Sequence, residues 1–87
     1  MNRYGMYLKN GKDLIHLTQQ ENTEQAIKFL DEAIIYFRKL AKEGHNSAEE
    51  MMSKSLTEKA TCLRHLGKLE EAEVTYKQGL QISEKFN

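Results

Sequence analysis

Apolar residues recur three and four apart along most of this 87-residue chain, and no proline interrupts them. That period keeps the apolar side chains on one side of a helix, whereas a half-buried strand would need strict alternation. The pattern therefore predicts an all-α fold. Stop signals at residues 21–22, 44–47 and 67–68 divide the chain into four segments. Connections this short between amphipathic helices make consecutive helices antiparallel neighbours.

The first segment, about Arg3 to Gln20, carries Tyr4, Tyr7, Leu8, Leu14, Ile15 and Leu17 mostly at helical spacing, with Asn10-Gly11 as a possible turn inside it. The second opens on Asn22 as N-cap with Gln25 completing a capping box. Its stripe is Ala26, Ile27, Leu30, Ala33, Ile34, Phe37, Leu40 and Ala41. Lys39 and Lys42 suit its C-terminal dipole, and Gly44 suits a left-handed stop. The third starts at the Ser47 to Glu50 capping box, buries Met52, Leu56, Ala60, Leu63 and Leu66, and closes at Gly67. The fourth, about Leu69 to Lys85, places Ala72, Tyr76, Gly79, Leu80 and Ser83 on one face.

The second and fourth segments repeat one another. Ala26, Leu30 and Ala33 correspond to Ala72, Tyr76 and Gly79 at a constant offset of 46 residues, in the strings EQAIKFLDEAI and EEAEVTYKQGL. Small residues at such positions admit a neighbouring helix, and the large one fills the gap between them. The first and third segments also correspond: Tyr7, Gly11 and Leu14 stand where Leu56, Ala60 and Leu63 stand. Asn10 and Lys59 stand at one shared position, immediately before Gly11 and Ala60.

This constellation resembles the tetratricopeptide repeat, whose first helix carries W-x-x-L-G-x-x-Y and whose second carries the small-large-small triad. The resemblance implies four antiparallel helices in two helix-turn-helix pairs of an α-α superhelix. Repeat 1 spans about residues 4–43 and repeat 2 about residues 48–86 of a single domain, 1–87. Leu56 to Gly79 fits the standard spacing without a gap. The first copy is longer, with about one extra turn expected before Ala26. An ordinary four-helix bundle would share the same spacing and stands as the alternative.

Charge and cysteine usage narrow the function classes. Lys and Arg number 13 and balance 13 Asp and Glu, so no net field draws the chain to nucleic acid or anionic lipid. No apolar stretch approaches the length of a membrane span. Cys62 is the only cysteine, which suits a reducing cytoplasm. The opening residues show no apolar signal-peptide core.

No catalytic or metal constellation stands out. Cys62 and His65 could share a helix face, but a structural zinc site needs about four ligands and no second pair has the spacing. The acidic pairs Asp31-Glu32, Glu49-Glu50 and Glu70-Glu71 fall at helix starts or exposed faces, where they cap and solvate. Met51-Met52 reads as core filling. The expectation is a protein that is not an enzyme and needs no cofactor.

The resemblance implies a partner-binding groove lined by the first helix of each pair. The corresponding residues are Leu8, Lys9, Lys12 and His16, then Lys54, Thr57, Thr61, Arg64 and His65. The set is basic, so an acidic peptide or partner helix is the expected ligand of an adaptor. The family's clamp for chaperone tails uses lysine and asparagine in set places, where Leu8, Lys12 and Glu58 stand here. A self-associating scaffold, such as a homodimer, is the alternative, as is a piece of a longer array. No further helix follows Phe86-Asn87 to cover Tyr76, Leu80, Ile82 and Phe86, and Ile35 and Tyr36 fall on the back of the second helix.

Overall fold

The structure, a computed structural model, describes the backbone of residues 3–86 and the side chains of residues 20–85. Three helices follow one another: α1 (Arg3–Lys42), α2 (Asn46–His65) and α3 (Leu69–Ser83), and a single 3₁₀ turn, Glu84–Phe86, ends the described chain. Helix α2 lies between the other two and packs against both. Its apolar face supplies most of the core: Ala48, Leu56, Ala60 and Leu63 are buried, together with Ile34 from α1 and Ala72 from α3.

The two stops at glycine are where the sequence places them. Gly44 has φ +96° and Gly67 φ +81°, the left-handed region that a residue without a Cβ enters without steric cost. Each closes the same C-terminal motif. The His45 N–H donates to the Leu40 carbonyl at 3.1 Å and the Gly44 N–H to that of Ala41 at 3.1 Å. One helix later, the Lys68 N–H donates to Leu63 at 2.9 Å and the Gly67 N–H to Arg64 at 2.9 Å. These turns reverse the chain and set α2 antiparallel to α1, and α3 antiparallel to α2.

The expected fourth helix is absent, because the first two segments are one helix of 40 residues. The stop at residues 21–22 is overturned, and Asn22 is a helix interior residue rather than an N-cap. So is Gly11, where the Asn10-Gly11 turn was possible. Nothing local forces a break: the run Leu17 to Lys28 contains neither proline nor glycine, and interior Asn and Thr cost only a few tenths of a kcal/mol each. A reversal there would need a tertiary contact to offset the lost helical hydrogen bonds. The four-helix bundle falls with the same observation.

Two smaller corrections concern helix starts and faces. Helix α2 begins one residue before Ser47, its N-cap being His45 with extended φ/ψ and no side-chain cap bond. The Ser47 capping box therefore does not form. On α3 the buried residues are Ala72, Thr75 and Gly79, so the packed face is rotated toward Thr75, leaving Tyr76 and Leu80 exposed. The closest approach of the two helices is at Gly79. A Cβ there would stand 3.2 Å from the Ser53 carbonyl oxygen and 3.3 Å from the Leu56 Cβ. The Ser53 hydroxyl uses that closeness, donating to the Gly79 carbonyl at 2.8 Å.

Candidate partner-binding surface

Because α2 buries two flanks against α1 and α3, one face of it points outward. That face carries the expected groove residues of the second repeat: Lys54, Thr61, Arg64 and His65 are exposed and Thr57 is half-buried. They recur three and four apart, so one straight partner could touch them all. The expected groove residues Leu8, Lys9, Lys12 and His16 of the first segment lie outside the described side chains, as does Phe86.

The chemistry of this face is cationic. Both threonine hydroxyls are committed to their own helix, Thr57 donating to the Lys54 carbonyl at 2.9 Å and Thr61 to the Thr57 carbonyl at 3.1 Å. Their donors are spent, and the Thr57 methyl faces Gly79 in the α2–α3 seam, which leaves the Thr61 methyl and the oxygen lone pairs for a partner. Lys54 and Arg64 enter no ion pair with the described residues, whereas three other lysines do: Lys59 with Asp31, Lys77 with Glu73 and Lys85 with Glu49. Lys54 and Arg64 are therefore available to an incoming carboxylate.

Lys59 resolves a departure in the sequence pattern. It occupies the place where the repeat has an apolar residue, and the structure sets its Nζ 2.6 Å from the Asp31 carboxylate across the α1–α2 seam. The aliphatic stem fills apolar space while the amine finds a partner at the rim. The Lys85 Nζ lies 3.6 Å from a Glu49 carboxylate oxygen, tying the 3₁₀ turn to the start of α2.

Cys62 is half-buried on α2. Burial raises its thiol pKa above the ordinary value, and the negative charge of Glu58 adds to the rise. A thiol held protonated is a poor nucleophile and a poor metal ligand. Among the described residues, no group of three His, Cys, Asp or Glu could hold a metal ion, and no helix is long and apolar enough to cross a membrane.

Two features were not visible in the sequence. A cleft of about 630 Å³ opens where the C-terminal end of α2 and the start of α3 meet α1. Ile27, Leu63 and Leu66 line it together with charged residues that include Glu21, Glu24, Lys28 and Lys68. The second feature is on α1, where Phe29 is 77% exposed beside the expected Ile35 and Tyr36. On α3, Tyr76 and Leu80 form an exposed i, i+4 ridge, and Ile82 is half-buried.

Comparison with known families finds a match to the tetratricopeptide repeat over residues 46–86, the span of α2, α3 and the 3₁₀ turn. Compared with curated proteins and with solved structures, the chain has no significant match.

Proposed function

We propose that this chain, whose residues 46–86 match the tetratricopeptide repeat, is an adaptor, since members of that family generally mediate protein–protein interaction. It holds an acidic peptide or an acidic partner helix along the outward face of α2. The observation that carries this reading is the pair Lys54 and Arg64, exposed on one face and bound to no acid of the described chain. With the hydroxyls of Thr57 and Thr61 turned back on their own helix, charge rather than neutral hydrogen bonding selects the ligand. Glu58, exposed on the same helix, sets a limit to that preference by repelling a carboxylate placed directly over it. The reading takes no catalytic step and no cofactor, and it places the adaptor in the cytoplasm, where a single free cysteine stays reduced.

Fluorescence anisotropy with labelled acidic peptides tests it, with and without a free C-terminal carboxylate. The double reversal Lys54→Glu with Arg64→Glu should weaken binding by about tenfold or more, and added salt should weaken the parent protein in the same direction. Unchanged affinity in the double variant would remove the α2 face from consideration.

A further inference from the structure

We infer that two copies of this chain exchange the first halves of their α1 helices, each supplying the helix that completes the other's first repeat. The observation is an inequality between the two halves of the internal repeat. In α3 the small residues Ala72 and Gly79 are shut against α2, Ala72 being 3% exposed. Their counterparts in α1, Ala26 and Ala33, are only half-buried. A face built for close helix packing is left partly open.

The sequence identifies what fits that face. The helix that closes on Ala72 and Gly79 is α2, with Leu56, Ala60 and Leu63 at its core positions. The same pattern recurs as Tyr7, Gly11 and Leu14. Those residues lie in α1 itself, collinear with Ala26 and Ala33, so they cannot fold back onto them. Helix α2 has 20 residues and runs back along α1 from a short turn, so it covers only about half of a 40-residue helix. The cleft shows where it stops, with Leu66 and Lys68 level with Glu21 and Glu24. Residues 3–19 extend past that end.

An antiparallel second copy satisfies both halves at once. Gly79 meets Ser53 and Leu56, so by the repeat Ala33 of one copy would meet residues 4–7 of the other. The two-fold axis then passes near residue 20, and the contact is isologous, each copy giving what it receives. Charge agrees with that register. Residues 3–19 carry Arg3, Lys9 and Lys12 against one acid, Asp13, while residues 21–37 carry Glu21, Glu24 and Glu32, beside an Asp31 already paired with Lys59, against one base, Lys28. In this arrangement the basic residues of the first groove segment come from the second copy.

Size-exclusion chromatography with light scattering on the full chain at about 100 µM reads the proposal directly, with no peptide present, so it stands or falls apart from the adaptor reading. The expected mass is twice 10.1 kDa. Inserting Gly-Ser-Gly-Ser after Gln20 gives residues 3–19 a hinge to fold back on their own α1, and should yield a monomer with its helix content intact. In a Cys62→Ser background, spin labels at Met6→Cys on one copy and at the exposed position Glu32→Cys on the other should lie within about 20 Å, as packed helix axes are 8–10 Å apart. That distance also decides the matter if the insertion unfolds the chain. A monomeric parent protein overturns the exchange, as does a dimer whose labels stay far apart, which would point to the Tyr76–Leu80 ridge instead.

Discussion

Gly79 is the point at which α3 comes closest to α2, and its missing side chain is what permits the contact. Alanine at a helix interior gains about 1 kcal/mol over glycine, while overpacking a tight seam costs about 1–3 kcal/mol. The Ser53 backbone oxygen at 3.2 Å from the new Cβ cannot swing aside, although the Thr57 methyl at 3.0 Å can. Gly79→Ala should therefore destabilise the fold by about 1 kcal/mol, lowering Tm by about 4–8 °C in a thermal melt. A rise in Tm would show that the seam relaxes. Cys62 makes a second prediction at this scale. Its folded thiol keeps its proton to higher pH than an unfolded one, so the native state binds the extra proton above about pH 8.5 and stability falls as pH rises from there. Below that pH the thiol is protonated in both states and contributes no slope. Alkylation at pH 8 should be slower than for free cysteine and should accelerate in urea, and Cys62→Ala should remove its share of the alkaline decline. Equal rates folded and unfolded would contradict the burial.

Among the elements, α1 tests the continuity of a helix by the sign of one substitution. At an N-cap, Asn22→Ala would cost about 1 kcal/mol; within a helix it should gain a few tenths of a kcal/mol. The structure places Asn22 inside α1, so urea denaturation should show a small gain, and Ser47→Ala in α2 should do the same. A loss at Asn22 would restore the turn that its capping box suggests. Gly44 and Gly67 read correctly because a left-handed glycine at a helix end is a backbone requirement that no distant contact alters. Asn22 misleads because the same side chain serves a cap or an interior, and local sequence does not distinguish them. The α1–α2 seam is held at its rim by Lys59 and Asp31, both partly open to water. A double-mutant cycle on that pair should return no more than about 1 kcal/mol.

For the whole molecule, the notable quantity is how little the described residues bury. A compact chain of this length would have a radius of gyration of about 12 Å, and this one has 16.5 Å, with extents of 53 × 26 × 17 Å. The buried apolar residues are six, three of them alanines, and no large side chain is fully buried among those described. A core that thin gives a small margin of stability, which is where an exchanged helix would act. If folding and association are linked, Tm rises with protein concentration. Melts between about 1 and 100 µM should therefore shift upward, and superimposable curves would argue for an independent monomer.

The sequence by itself determined that the chain is helical, where the two sharp reversals lie and which half carries a family pattern. Each of these depends on periodicity or on backbone freedom at a single residue. The exposure of Lys54, Arg64 and His65 was legible for the same reason, since they fall away from the apolar stripe at helical spacing, whereas a groove role for them comes from the family resemblance alone. Only the tertiary structure decided that the first two segments are one helix, that α3 turns Thr75 rather than Tyr76 inward, and that Lys59 belongs with Asp31. In each case the outcome depends on what another helix offers across a gap of a few ångströms. That offer is made by residues far along the chain, and no local pattern encodes it.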